Sequence, residues 1–288
     1  MKNRKSIIAT VRTWAQNEPK IKVVILEGSG CTSHIKDEFS DHDLNLFVAD
    51  ATEYLAYEDW LKQFDDILVF QKEGFFYQNT FIPTRLVIYQ NSPRVDFSFW
   101  PVSLLEDWIE KQELPEFYKN GFSVIVDKLN ITNKLLPPMN DGFIIDKPTK
   151  ERFLLNIYNF YFEAAIIAKY LLRKNLWFAL KLSNGPIKNY LQQMIMWQIS
   201  SRNNWNLKGM NNLGKNLEEK ISASTAAKLN NCFSEYDLRS CWKNLVSMMN
   251  IFDEISKAIS LQIGIKFPAE RIEKIKQYIN EIRSRSKN

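Results

Sequence analysis

The sequence predicts an α+β fold in two parts, a mixed sheet with helices over residues 1–145 and an all-α helical bundle over residues 146–288. Three observations predict it. In the first half, short β-branched apolar runs alternate with helically spaced segments. In the second half the apolar spacing is helical throughout and no convincing strand occurs. Between them lies "PPMNDGFIIDKP", residues 137–148, a stretch of proline and turn formers where the character changes.

The elements follow in order. Residues 6–16 have helical spacing. "KVVILEG" (22–28) is a β-branched run ending at glycine, and "DLNLFVAD" (43–50) alternates, so both read as strands. "EYLAYEDWLKQF" (53–64) is spaced as a helix. "DILVFQ" (66–71), "TRLVIYQ" (84–90), "RVDFSFW" (94–100) and "FSVIVDK" (122–128) read as further strands, and "NSP" between the second and third of these is a hairpin signal. "PVSLLEDWIEKQ" (101–112) opens with proline at a helix start. Beyond the boundary, helices are expected over 150–174, 186–202, 212–231, 234–263 and 267–285.

Composition narrows the function. The chain has 288 residues, 45% hydrophobic and 25% charged, enough for two cores. No apolar run reaches the roughly 20 residues that span a bilayer, so no membrane role is expected. The net charge is +5 without a strong basic cluster apart from the tail, which argues against nucleic acid as the partner. The three cysteines, Cys31, Cys232 and Cys241, match no metal spacing and read as reduced thiols of a cytoplasmic protein. With only His34 and His42, a histidine-rich zinc site is nearly excluded. A metal here would be held by oxygen, which points to magnesium, manganese or calcium.

The chemistry concentrates in "EGSGCTSHIKDEFSDHDLNLFV", residues 27–48. Asp41 and Asp43 stand two apart at a strand start, so both side chains share one face. Like charges held together repel, and cations offset that cost. Asp96 is a lone acid between the apolar Val95 and Phe97 and therefore points away from the core. If its strand lies beside that of Asp41 and Asp43, three carboxylates converge, an arrangement able to hold two metal ions about 4 Å apart for phosphoryl chemistry. Gly28 and Ser29 follow a strand, where backbone N–H groups and a hydroxyl can cradle phosphate oxygens. Taken singly, an Asp-x-Asp pair or a Gly-Ser turn is ordinary surface; the combination in this order is far more specific.

A Gly-Ser pair, an Asp-x-Asp strand and a later strand Asp together resemble the polymerase-β-like nucleotidyltransferases. More closely, "GS…FSDHDLNLFV", "RVDFSFW", "VIVDK", "IIAKYLLR" and "MIMWQIS" resemble the aminoglycoside 6-adenylyltransferases, over roughly residues 5–220. The resemblance implies an N-terminal nucleotidyltransferase domain, a helical C-terminal domain, and transfer of AMP from Mg-ATP to a hydroxyl of an aminoglycoside such as streptomycin. It implies Asp41 and Asp43 as metal ligands, with Asp96 as the third acid, binding metal or taking the hydroxyl proton. Gly28 and Ser29 would hold phosphates, and Lys169 would meet the triphosphate. The chain departs from the family at Gly30, where arginine is usual, at His42, where tyrosine is common, and at Asn159, which takes a glutamate's place. Glu163, one turn on from Asn159, could replace that base. Glu106, Asp107 and Glu110 are further acids for a cationic acceptor. Arg85 and Arg94 are strand arginines near Asp96, placed to neutralise the acids, to touch phosphate or to form surface ion pairs, and Trp197 is expected to pack between domains. Two alternatives stay open: a degenerate, nucleotide-binding or regulatory module, and transfer to another antibiotic such as a lincosamide. The assembly expected is a monomer or homodimer.

Overall fold

The computed structural model describes residues 7–27, 40–119, 121–138, 144–207, 214 and 216–286. The chain divides into two compact units, Met1–Gly142 and Phe143–Asn288.

The first unit is a six-stranded mixed sheet. Its strands are β1 (Ile21–Glu27), β2 (His42–Val48), β3 (Ile67–Tyr77), β4 (Thr80–Tyr89), β5 (Val95–Pro101) and β6 (Phe122–Asp127), in the order β3-β4-β5-β2-β1-β6. Only the β2–β5 pair is parallel; every other pairing is antiparallel. One face is covered by α1 (Ile7–Asn17), whose Ile7, Val11 and Ala15 form a single buried stripe, and by the segment around Tyr54, Trp60, Leu61 and Phe64. Against it pack Leu44, Leu46, Val95, Phe97 and Phe99. On the other face α3 (Val102–Lys111) and the short α4 (Glu116–Lys119) bury Leu105, Trp108 and Tyr118 with Val23, Ile25, Phe47 and Trp100.

Three elements differ from expectation. The helix expected over 53–64 is split into α2 (Thr52–Ala56) and a 3-10 turn (Asp59–Gln63), because the backbone at Tyr57 is extended. The break lets Trp60 stack on Trp14 and meet Phe97 and Phe99, while its indole N–H donates to the Tyr54 carbonyl at 3.1 Å. Burying that aromatic cluster outweighs local helix propensity. The strands expected over 66–71 and 84–90 are instead the long β3–β4 hairpin, which turns at Gln78, a residue with φ 52°. Gly74 and Pro83, both strand breakers, face each other across it. A side chain at Gly74 would strike the Phe81 ring and come within 2.9 Å of the Ile82 carbonyl oxygen, so glycine is what lets the ring close over the strand. The hairpin expected at "NSP" is present as the antiparallel β4–β5 pair.

The second unit is helical: α5 (Lys150–Leu172), α6 (Leu176–Ser183), α7 (Pro186–Arg202), α8 (Leu217–Lys220), α9 (Ala223–Leu229), α10 (Leu238–Ile263) and α11 (Ala269–Arg285). The helix expected over 212–231 is two short pieces separated at Ser222, which caps α9 by accepting from the Thr225 N–H; residues 208–213 and 215 lie outside the described residues. α6 was not anticipated. The core centres on α5, α7 and α10, where Phe160 and Phe252 stack at 3.7 Å. Buried Asp253 of α10 accepts from the Tyr161 hydroxyl of α5 and from Lys276 of α11, tying three helices together. Trp197 is buried within this core, its ring centre 6.3 Å from that of Phe153.

Candidate active site

The sheet register assembles the acids. Glu27 lies opposite Asp43, Asp43 opposite Asp96, Asp96 opposite Leu86 and Leu86 opposite Gln71, one row across β1, β2, β5, β4 and β3. The next row is Ile25, Asn45, Ser98, Thr84 and Glu73. Strand alternation sends Leu44, Val95 and Phe97 into the core behind, so both rows share the opposite face. Because β2 and β5 run parallel, Asp43 and Asp96 both sit near a strand start, with Glu27 at the end of antiparallel β1. Glu27, Asp43, Asn45, Glu73, Phe75 and Asp96 line a common pocket of about 260 Å³.

Arg94 organises the carboxylates. Its Nε donates to Asp96 Oδ1 at 2.8 Å and its Nη2 to Asp96 Oδ2 at 2.5 Å, a bidentate clamp. Its Nη1 reaches Asp41 Oδ2 at 3.7 Å. Burial pushes the Asp96 carboxyl above its ordinary range, opposed by Arg94 and assisted by the charges of Asp41 and Glu73. The Arg94 guanidinium is raised in turn by its bond to Asp96. Glu27 is pushed up to about 7, chiefly by burial and further by Asp43, with the Asn45 hydrogen bond working against the shift. Buried Asn45 is the hub behind it: Nδ2 donates to Glu27 Oε2 at 2.7 Å and to the Tyr118 hydroxyl at 2.9 Å, and Oδ1 accepts from the Trp100 indole at 2.8 Å.

The structure thus sets Asp43 opposite Asp96 at the start of the central β2–β5 pair, with Asp41 joined to Asp96 through Arg94. Gly28, Ser29 and Gly30 follow Glu27 in the chain and lie outside the described residues. Arg85 corrects the sequence reading: it sits opposite Phe97 on the other face, buried, with Nη2 at 3.2 Å from Glu58 and at 3.0 Å from the Leu55 carbonyl. Glu163 and Lys169 belong to α5 in the helical unit. Glu163 is half-buried and its Oε2 has no hydrogen-bond partner among the described residues. Asn156, two turns before Glu163 on the same helix, is buried and donates to the Tyr190 carbonyl at 3.1 Å. Lys169 lines a cleft with Arg173, Tyr278, Glu281 and Arg285, where α5 meets α11. Asp107 pairs with Lys111 on α3 at 2.7 Å. Sequence reasoning passed over Glu27, Asn45 and Glu73. The signal for Asn45 was available: the alternation that puts Asp43 on the site face puts Asn45 on the same face two residues on.

Among the described residues no three Asp, Glu, His or Cys side chains stand in a metal-coordinating arrangement. The chemistry of the donor set nonetheless suits a hard divalent cation, since Asp41, Asp43 and Asp96 offer only carboxylate oxygens and the positive charge beside them is that of Arg94. No helix among the described residues is long and apolar enough to cross a membrane.

The comparisons with known proteins agree with the motifs. The chain matches the family model for streptomycin adenylyltransferase over residues 1–282. It is similar to the aminoglycoside 6-adenylyltransferase of Campylobacter jejuni, 24% identical over 97% of this chain and 95% of that one. It is 23% identical to the Bacillus subtilis aminoglycoside 6-adenylyltransferase, over 93% of this chain and 94% of the relative. The crystal structure of an aminoglycoside 6-adenyltransferase from Bacillus subtilis matches 97% of this chain and 99% of that one at 22% identity, with a TM-score of 0.47. The family match runs over nearly the whole chain, and the protein is therefore a nucleotidyltransferase belonging to the streptomycin adenylyltransferase family.

Proposed function

We propose that this protein transfers AMP from Mg-ATP to a hydroxyl group of an aminoglycoside, streptomycin being the first acceptor to test. The observation that carries the reading is the in-register pair Asp43–Asp96 on parallel strands, with Asp41 one residue before β2, in a chain of this family. Asp41, Asp43 and Asp96 would hold the magnesium, which when bound neutralises phosphate charge and orients the phosphates. Gly28 and Ser29 would hold phosphate oxygens through backbone N–H and hydroxyl donors, and Lys169 would meet the triphosphate.

In this reading the acceptor oxygen attacks the α-phosphorus in line. The new O–P bond forms as the bond to the β-phosphate oxygen breaks, and pyrophosphate leaves with that oxygen. The hydroxyl proton passes to a carboxylate. Asp96, in place of binding metal, is one candidate to take it; Glu163, with a free Oε2, is the other. Arg94 keeps Asp96 oriented.

The test is ATP-dependent pyrophosphate release across a panel of aminoglycosides and lincosamides, with mass analysis for a gain of one AMP. Asp41→Asn should lower transfer at least about a hundredfold while circular dichroism stays that of the wild type. Intact transfer in that variant would refute the assignment. A second reading, a nucleotide-binding module without transfer, draws support from Gly30 in place of arginine and from the Arg94 clamp on Asp96. Titration showing Mg-ATP binding with no modified product from the panel would favour it.

A further inference from the structure

Beyond the acid row, the same face of the sheet continues onto the β3–β4 hairpin. Two hollows adjoin there. One holds Asp43 and Asp96; the other is lined by Val69, Phe70, Gln71, Ile88 and Arg94. Glu73 and Leu86 line both, so Glu73 stands on the ridge between them. Of the neighbouring acids, Asp96 is ion-paired with Arg94, and Glu27 accepts from the Asn45 amide and is pushed up to about 7 by burial, toward its neutral form. Lys72, next to Glu73, is committed to Glu58 at 2.6 Å. Glu73 is exposed and accepts only a neutral bond, from the Gln71 amide at 2.5 Å, and among the described residues no cation is ion-paired with it. Around it the surface is apolar yet open to solvent: Val69 is 56% exposed, Phe75 44% and Ile88 45%. An uncompensated carboxylate set in exposed apolar surface calls for a ligand that is cationic and rich in C–H faces.

Position says which substrate that is. Asp96 lies between β2 and β4, so the row has a β1 side and a β3 side. The Gly28–Ser29 pair follows β1 in the chain, and a hydroxyl giving its proton to Asp96 belongs to a molecule extending the other way. We infer that Glu73 is a specificity-determining residue that receives an ammonium or guanidinium group of the acceptor, whose ring faces rest on Phe75 and Val69. The inference rests on the adenylyl-transfer reading above and adds to it the side of the sheet on which the acceptor lies.

The experiment is calorimetric titration of streptomycin into the full-length protein without nucleotide, using wild type, Glu73→Gln and Glu73→Lys. Both exposed substitutions leave the fold intact by circular dichroism. Streptomycin should bind Glu73→Gln about tenfold more weakly or worse, and Glu73→Lys more weakly still. In steady state KM for streptomycin should rise while KM for ATP stays put and kcat changes far less. Equal binding by all three proteins would overturn the inference, as would a fall in kcat with both KM values unchanged, which would make Glu73 a partner in the chemistry. A wild type that binds streptomycin but transfers no AMP would defeat the reading of the reaction, and the binding series would still judge Glu73.

Discussion

At the scale of the residue, the site is a problem in charge. Asp41 and Asp96 share one guanidinium, and their own repulsion is part of what Arg94 relieves. Replacing it exposes that repulsion. Arg94→Gln should cost about 1 kcal/mol in EDTA, a modest figure because the arginine is substantially solvent-screened. Added magnesium should restore more of the melting temperature in the variant than in wild type, because a cation then supplies the missing charge; thermal melts with and without the metal check this. The acids were legible in the sequence because strand alternation is a period of two: Asp96 between Val95 and Phe97 can only face away from the core. Glu27 was not, since a lone glutamate at a strand end reads as solvated until the partner strands are known. Glu73 was hidden more deeply, for its strand was taken to end at residue 71.

At the scale of the element, the hairpin explains that miss. Gly74 and Pro83 break strands in isolation, yet here they oppose each other and the glycine makes room for the Phe81 ring. Gly74→Ala should therefore destabilise the protein by about 1–3 kcal/mol through overpacking, read by urea denaturation. The split of the 53–64 segment has a similar origin, tertiary aromatic packing overruling a helical spacing. α7 offers a pH test. Lys188 lies 3.5 Å from the Phe233 ring centre and burial pushes it down to about 8. The unfolded chain keeps that proton up to about 10.4, so between these values the unfolded state binds more protons and stability rises with pH. The neighbouring Cys232 thiol, pushed up to about 11, acts in the opposite sense over its own window. Cys232→Ser isolates the lysine. In that background stability should rise by about 1 kcal/mol from pH 8 to 10, roughly half the full linkage because the ammonium is half-exposed and solvent-screened, and adding Lys188→Met should flatten the profile.

At the scale of the whole molecule, two units with separate cores carry the chemistry's candidate groups, the acid row in one and α5 in the other. In the sequence the character changes over residues 137–148, where a helical period takes over as strands stop. What the sequence could not convey was the polar tie inside the helical core. Asp253, 6% exposed, accepts from Tyr161 and Lys276, and its acid carries no local sign of that role within the amphipathic α10 pattern. Asp253→Ala leaves the buried Tyr161 hydroxyl without its acceptor and the partly exposed Lys276 without its partner, and should cost about 1–3 kcal/mol. Hydrogen exchange should show α5, α10 and α11 losing protection while β1, β2 and β5 keep theirs.

The β3–β4 hairpin is inserted between the two parallel strands that carry Asp43 and Asp96, yet it pairs only with the outer side of β5. Its length and lining can therefore vary without shifting one acid against the other. With the acceptor site proposed above, chemistry and choice of acceptor are then separable heritable parts. Transplanting residues 67–89 between relatives should move antibiotic preference with the graft and leave the phosphoryl-transfer machinery in place.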